Sequence, residues 1–447
     1  MEFIGKKVAV VGMGKSGIAS VRLLAQLGAD VVAINSGNVD SWKSSLSGIK
    51  VSSLISQEDP SVKEILSSVS FVVLSPGISR EIDILSDLHK KKKSIISEIE
   101  LAYRALKNDL SKIISVTGTN GKTTTVTLID LIARGASVST FLGGNIGTPF
   151  ADYAYEVLTK KRAKADLIIL ELSSFQLESM ETFKSDVAAI LNITPGHGER
   201  YDRVVDYARA KFHIADRLKG DDKLFVGELS GFESELRTNC FIEKLETPKS
   251  AGEISVNLMG NFNLIGEHNI SNLNFAVKLL EDVNIKWQEG LSALKNFNGV
   301  QYRLQKRESR KGLLVYNDAK STNWQATFTA LKAFSFSYPD IDIDLILGGK
   351  LRGHDDQMKE KAIFIKSLVS KVYFYGESGK NLFNEVGTKI NCEYFEKLDD
   401  VVKAISKNQK ARGVLFSPAF PSFDQYGNYL KRGEHFDKLT TEYFVRS

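Results

Sequence analysis

One stretch restricts this chain more than any other. Ile113-Ile114-Ser115-Val116-Thr117 runs into Gly118-Thr119-Asn120-Gly121-Lys122-Thr123-Thr124 and then into the apolar spacing of Val126, Leu128, Ile129 and Ile132. A β-branched run, a glycine-punctuated loop and a helical period read in that order as strand, phosphate loop and helix. The glycines let backbone N–H groups turn inward around an oxyanion, and the helix N-terminus adds partial positive charge. Lys122 is placed to reach outer phosphates and Thr123 to hold Mg²⁺. Only Thr119 and Asn120 separate the two glycines, fewer residues than the full Walker pattern has. A surface turn can carry the same letters, so the rest of the chain has to decide.

Ahead of this loop, Lys6 to Val11 reads as a buried strand, followed by Gly12-Met13-Gly14-Lys15-Ser16-Gly17 and an amphipathic helix through Val21, Leu24 and Leu27. That is a dinucleotide fingerprint in its proper strand-to-helix setting. A ribose-binding carboxylate belongs at the end of the second strand, Val31 to Ile34, but Asn35-Ser36-Gly37 stands there. A nicotinamide site is therefore disfavoured, while another diphosphate can still be bound. The next strand, Phe71 to Leu74, ends in Ser75-Pro76-Gly77-Ile78. This is a plain β-turn or the opposite lip of a diphosphate-sugar cleft.

After the phosphate loop, Phe141-Leu142-Gly143-Gly144-Asn145-Ile146-Gly147 reads as a second glycine-rich loop that brings Asn145 near the same phosphates. Leu167 to Leu170 is apolar on both faces, the mark of a central parallel strand, and delivers Glu171-Leu172-Ser173-Ser174-Phe175-Gln176. A carboxylate at that place is where a nucleotide hydrolase keeps its magnesium ligand, although Glu171 could also cap the following helix. Val187 to Ile193 is a further buried strand and leads to His197. Lys211 lies on a helical stretch, where a lysine is ordinarily solvated. Asn269 and Asn272 stand one turn apart at a helix start, suited to gripping a base or to capping.

Length and composition set the frame. A chain of 447 residues suggests two to four domains, and 43% hydrophobic with 25% charged residues is ordinary for a globular protein. A net charge of +5 over that length does not indicate a nucleic-acid surface. The run Lys90 to Lys93 reads as a solvated helix end. Cys240 and Cys392 are isolated, which points to a reducing cytoplasm, and no apolar run reaches membrane-spanning length.

With these stretches lined up, the sequence resembles the Mur ligases of bacterial cell-wall synthesis. The segments Gly12–Gly17, Ser75–Ile78, Gly118–Thr124, Gly143–Gly147, Glu171–Glu178, Asn192–Tyr201, His268–Asn272, Asn317–Asn323 and Ser417–Gly433 carry the likeness in order. The most specific are Glu171 to Glu178 and Ser417-Pro418-Ala419 with Ser422-Phe423-Asp424-Gln425. The resemblance implies an α/β fold of three domains: a Rossmann-like UDP-sugar domain over 1–99, a P-loop ATPase-like parallel-sheet domain over 100–299 and a Rossmann-like amino-acid domain over 300–447. It also implies ATP-dependent addition of D-glutamate to UDP-N-acetylmuramoyl-L-alanine by a monomer with two Mg²⁺ ions.

By that resemblance Lys122 grips phosphate, Thr123 and Glu171 hold one magnesium, and His197 with Lys211 serves the second, Lys211 being carbamylated. Asn145, Ser173 and Gln176 face the UDP-muramoyl substrate, with Lys15, Ser16, Asn35 and Ser36 around its uridine and diphosphate. Asn269, Asn272, Arg303 and Asp318 are assigned to ATP, although Asp318 could be an ordinary helix N-cap. Lys320, Thr322, Arg352, Ser422, Phe423 and Tyr429 are assigned to the amino-acid side. Relatives carry an acidic residue followed by Thr-Arg at Asn35-Ser36-Gly37, Asp at Gly196, and Phe at Tyr429.

Overall fold

The structure, a computed structural model, describes residues 3–107, 109–195, 200–248, 262–351, 358–408 and 412–445. His197 and Arg352 lie outside them. Three sheets appear, each with helices in its connections, as the α/β expectation requires. The first sheet contains β1 (Lys7–Val11), β2 (Asp30–Asn35), β3 (Ser53–Ser56), β4 (Phe71–Leu74) and β5 (Ile95–Ser97) in the order β3-β2-β1-β4-β5, all parallel. Phe71–Leu74 is thus the fourth strand. The intervening β3, Ser-Leu-Ile-Ser, is a half-exposed edge without a continuous apolar run, so its sequence hardly announces it.

The second sheet contains β6 (Lys112–Thr117), β7 (Thr140–Gly144), β8 (Leu167–Glu171), β9 (Val187–Asn192), β10 (Lys219–Glu228) and β11 (Asn239–Lys244). Its order is β11-β10-β9-β6-β8-β7, again parallel throughout. β6, which feeds the phosphate loop, and β8, which delivers Glu171, are therefore adjacent, with Val116 paired to Glu171. Phe141 to Gly144 belongs to β7, so the second glycine loop begins only at Asn145.

The third sheet contains β12 (Gln305–Arg307), β13 (Leu314–Asn317), β14 (Ile343–Gly348), β15 (Lys371–Tyr375), β16 (Cys392–Phe395) and β17 (Gly413–Ala419) in the order β12-β13-β17-β14-β15-β16. Only β12 runs antiparallel to its neighbour. Side chains alternate between its two faces as the pleat demands: Leu345, Leu347 and Phe374 enter one core, Ile346, Tyr373 and Tyr375 the other.

By contacts the chain divides into two units, one of 1–246 with 272–293 and the other of 247–271 with 294–447. The first holds two sheets; one of its apolar clusters runs from Val8, Val10 and Leu23 to Ile168, Leu170 and Ile190, and another gathers Ala9, Val11, Val32 and Leu66. Glu98 is buried within this unit, at the head of helix Glu98–Ala105. One of its oxygens accepts from the Ala151 N–H and the other has no partner among the described residues.

Burial, with Asp152 nearby, pushes the Glu98 carboxyl up to about 8 from an ordinary 4.5. Between those values the unfolded chain binds fewer protons than the folded one. Stability should therefore fall as pH rises through this window, by about 1.4 kcal/mol per pH unit. Glu98→Gln mimics the protonated side chain. Thermal melts should show it more stable than the parent at pH 8 and little changed at pH 5; parallel curves would mean that Glu98 is already ionised in the fold.

Candidate active site

β6 ends at Thr117, and the chain turns through Gly118 at φ 146° and Gly121 at φ 86°, backbone conformations that L side chains rarely adopt. Space forbids a side chain as well: a Cβ on Gly121 would lie 2.4 Å from Asn272 Oδ1. Helix Lys122–Gly135 starts immediately after, aiming its N-terminal N–H groups into the loop. Lys122 folds back so that Nζ donates to the carbonyls of Gly118 at 2.7 Å and Thr119 at 3.0 Å.

Glu171, at the end of β8, is buried but doubly engaged. Oε2 accepts from the Thr123 hydroxyl at 2.8 Å and Oε1 from the Asn145 amide at 3.0 Å. The Asn145 backbone N–H also donates to the Glu171 carbonyl, which fixes the start of the second glycine loop. Glu171 is no helix cap: Ser173 caps the following helix.

Lys211 departs most from its ordinary expectation. It sits on helix Val204–Phe212 but is only 1% exposed, and its Nζ donates to the Gly118 carbonyl at 2.9 Å. The ammonium lies 4.5 Å from the centre of the Tyr207 ring. Desolvation drives its pKa well below the ordinary lysine value, repulsion from Lys122 adds to the shift, and Glu171 opposes it. Two lysines thus converge on one carbonyl, beside a carboxylate and a hydroxyl.

Asn192 is a contributor that pattern reading passed over. Its side-chain Oδ1 accepts from Asn120 N at 2.9 Å, its Nδ2 donates to Asn120 O at 3.1 Å, and its own carbonyl accepts from Thr119 N. The end of β9 is thereby tied to the tip of the phosphate loop. The sequence marked it only as the asparagine that closes a buried strand and opens the segment Asn192–Tyr201.

The fingerprint loop at the carboxyl end of β1 is tightly built. A Cβ on Gly17 would fall 1.8 Å from the Gly12 carbonyl. Ser75 donates to that carbonyl at 2.7 Å, and Asn35 Oδ1 accepts from Met13 N at 3.0 Å. Lys15, Ser36 and Gly77 are exposed along the same edge, with Ser16 and Pro76 partly so.

Ser173 and Gln176 bond first to each other as a capping box, Ser173 N to Gln176 Oε1 at 3.0 Å and Gln176 N to Ser173 Oγ at 3.3 Å. The buried Gln176 Nε2 has no partner among the described residues. Next to them Glu178 receives Arg200 at 2.6 Å and the Tyr201 hydroxyl at 2.7 Å, while the Arg200 guanidinium lies over Phe175. These neighbours carried no assigned role in the sequence.

Asn269 and Asn272 lie inside helix Glu267–Asp282 and are both buried. Asn269 Nδ2 donates to Ile265 O, and in the other unit Asn272 Oδ1 accepts from Thr125.

In the second unit Asp318 is buried, accepting from Leu304 N at 3.0 Å and the Ser417 hydroxyl at 2.7 Å. Burial pushes its carboxyl up to about 7 against the nearby charge of Arg303. It caps no helix: Asn323 takes that role for helix Trp324–Ser337. Lys320 Nζ stands 5.3 Å from the Tyr429 ring centre, Thr322 is partly exposed, Ser422 is buried and Phe423 is exposed.

Among the described residues no group of three or more His, Cys, Asp or Glu side chains is arranged to hold a metal. One carboxylate and one hydroxyl still suit Mg²⁺, which keeps several waters and completes its shell with phosphate oxygens. Among the same residues no helix is long and apolar enough to cross a membrane.

Residues 6–97 match the Mur ligase MurD-like N-terminal domain and residues 116–280 the Mur ligase middle domain. A protein of Citrifermentans bemidjiense named UDP-N-acetylmuramoylalanine--D-glutamate ligase is 31% identical over 455 residues, covering 98% of this chain and 97% of its own. Among solved structures, MurF from Acinetobacter baumannii aligns with a TM-score of 0.60 at 15% identity, over 96% of this chain and 93% of that one. MurF ligase from Thermotoga maritima in complex with ADP aligns with a TM-score of 0.56 at 15% identity, over 92% and 95%. At such identities the structural likeness is one of fold.

Proposed function

The chain belongs to the Mur ligase family, and we propose from that premise how its residues divide the work of an ATP-dependent ligase that joins D-glutamate to UDP-N-acetylmuramoyl-L-alanine in peptidoglycan precursor synthesis. One observation carries the reading: Lys122, Thr123, Asn145, Glu171 and Lys211 meet around a single glycine loop at the carboxyl ends of β6 and β8.

Amide formation from a carboxylate and an amine is uphill in water, so the carboxylate has to be activated. The alanine carboxylate attacks the γ-phosphoryl group of ATP, giving an acyl phosphate and ADP. The amine of D-glutamate then attacks the acyl carbon, and phosphate leaves. The protein's task is alignment and charge neutralisation. Lys122 exchanges its two carbonyl partners for phosphoryl oxygens, and the loop amides of 118–121 with the helix N-terminus hold the rest of the polyphosphate. Asn145, held by Glu171, is assigned to the developing charge through its other amide N–H.

Thr123 and Glu171 would hold Mg²⁺, which when bound neutralises polyphosphate charge. Lys211 cannot ligate a cation as an ammonium. Its burial and depressed pKa favour the neutral amine, which reacts with CO₂ to a carbamate and a proton. The resulting anion would oppose Lys122 and, with His197, take a second Mg²⁺.

The UDP-sugar is assigned to Lys15, Ser16, Asn35, Ser36, Ser75, Pro76, Gly77, Ser173 and Gln176. Asn35 offers uracil both a donor and an acceptor. The unsatisfied Gln176 Nε2 supports the substrate-facing role of that side chain. Asn269, Asn272, Arg303 and Asp318 are assigned to ATP, and Lys320, Thr322, Arg352, Ser422, Phe423 and Tyr429 to D-glutamate. The domain division 1–99, 100–299 and 300–447 is supported by one sheet falling in each interval. One chain carries every assigned residue, so a monomer suffices, and the free Cys240 and Cys392 support a cytoplasmic setting.

The test is ADP release with UDP-N-acetylmuramoyl-L-alanine against a panel of D- and L-amino acids. ADP should appear with D-glutamate and require both substrates. Release that ignores the amino acid, or that prefers an L-isomer, would overturn the reading.

A further inference from the structure

We propose that Trp324, which the ligase reading leaves without a role, is a further binding residue for the amino-acid substrate. Its indole N–H, buried and without a partner among the described residues, donates a hydrogen bond to a carboxylate of the incoming amino acid. The proposal rests on the assignment of the second unit's loops to D-glutamate.

Trp324 is the first residue of helix Trp324–Ser337 and is only 7% exposed. Its ring is held on two sides. The Phe420 ring packs edge-to-face with it, centroids 5.5 Å apart, and the Phe328 ring stacks on it at 5.9 Å. So held, Nε1 has no hydrogen-bond acceptor among the described residues. An indole N–H gives up its water when it is buried, and only an acceptor recovers that loss. Phenylalanine would make the same ring contacts with no donor to satisfy. The N–H is explained by an acceptor that arrives with a ligand.

Position identifies the ligand. Helical side chains lean toward the N-terminus of their helix, so the Trp324 indole covers the turn just before it, Ser321 to Asn323. That turn follows β13 and carries Thr322, with Lys320 immediately ahead of it. Phe420, whose ring meets the indole, follows β17 and leads into Ser422 and Phe423. Thr327, three residues along the helix, ties the two segments together: its hydroxyl meets that of Ser321 at 3.0 Å and donates to the Ser417 carbonyl at 3.1 Å. β13 and β17 are parallel neighbours, and both loops leave their carboxyl ends, where open α/β sheets bind ligands. Trp324 thus stands between the two loops assigned to the amino acid.

The surroundings favour an anion. Asn323 caps the helix by accepting from Ala326 N at 2.9 Å, which leaves the amides of Trp324 and Gln325 with no acceptor inside the helix. A helix N-terminus carries partial positive charge, and Lys320 adds a full charge in the same loop. A carboxylate, with two oxygens and several lone pairs, accepts from an indole N–H and from such groups at once. A neutral donor suits this seat. Between Phe328 and Phe420 an ammonium would lose its hydration at high cost, whereas an indole brings a donor without a charge.

Trp324→Phe keeps a ring and removes the donor. With ADP release as readout it should raise the KM for D-glutamate about tenfold, the scale of one hydrogen bond to a charged group. The KM values for ATP and the UDP-sugar should stay within about twofold of the parent, and the melting temperature should not fall. The unaltered enzyme gives an independent reading. Its three tryptophans, Trp42, Trp287 and Trp324, give three indole signals in a nitrogen-15 correlation spectrum, and Trp42→Phe and Trp287→Phe identify the third by elimination. D-Glutamate added to the enzyme holding ADP and the UDP-sugar should move the Trp324 signal downfield. An unchanged KM for D-glutamate in Trp324→Phe overturns the proposal. So does an equal rise in all three KM values with a lowered melting temperature, or a Trp324 signal that saturating D-glutamate does not move. If Trp324→Phe fails to fold, the indole signal decides alone. Should the unaltered enzyme fail to use D-glutamate, the substrate assignment falls instead, and that result is read without any variant.

Discussion

Lys122→Ala is expected to abolish the ADP release that depends on both substrates, lowering it roughly 10³-fold or more, the scale of losing a principal charge stabiliser in a transition state. The physical basis is the position of Nζ, held over the Gly118 and Thr119 carbonyls within the glycine turn proposed to cradle phosphate. Stability should change little, because the side chain is half-exposed and its removal leaves no buried cavity. A second consequence distinguishes this role from a general lesion. Lys122 is one cause of the depressed pKa of Lys211, so its removal should move the Lys211 pKa upward and leave less neutral amine at a given pH. A variant with near-normal turnover would remove the phosphate-loop assignment altogether.

How far the site could be read from sequence depends on whether its signal was local. The strand-loop-helix around Gly118 to Thr124 is local, since periodicity and glycine spacing report on neighbouring residues, and β6 with helix Lys122–Gly135 appears where they indicate. Glu171 was legible because an unbroken apolar run predicts a central strand and the residue after it has only one place to be. Lys211 was opaque. Its burial arises from a carbonyl 93 residues earlier in the chain, and no helical pattern marks a lysine that turns inward.

Asn192 was hidden for the same reason, its amide matching a backbone segment brought alongside by the β6 and β9 pairing. Asp318 offered two readings, and the observed cap at Asn323 removes the capping one for helix Trp324–Ser337. Arg432 carried no assignment in the sequence; its guanidinium is held by the loops after β13 and β17, which sequence does not bring together. Tertiary proximity, not residue type, was the missing information.

Lys211→Ala should be inactive, yet recover part of its activity when short carboxylic acids are supplied. The reason is electrostatic. Two ammonium groups directed at the same Gly118 carbonyl repel each other, and one of them is nearly without solvent. Such a site relieves itself by losing the Lys211 proton, and the free amine is then the form that takes up CO₂. The carbamate would place a negative group opposite Lys122, turning repulsion into attraction, and would offer oxygen donors of the kind hard cations take. Truncation to Ala removes the anion and opens a space of matching shape, which acetate or formate can enter. Activity should therefore rise with added acid and saturate, while Lys122→Ala shows no such response. Full activity in Lys211→Ala, or inactivity that no acid improves, would show that the buried lysine works as a cation or as packing, and the carbamate would have to be abandoned.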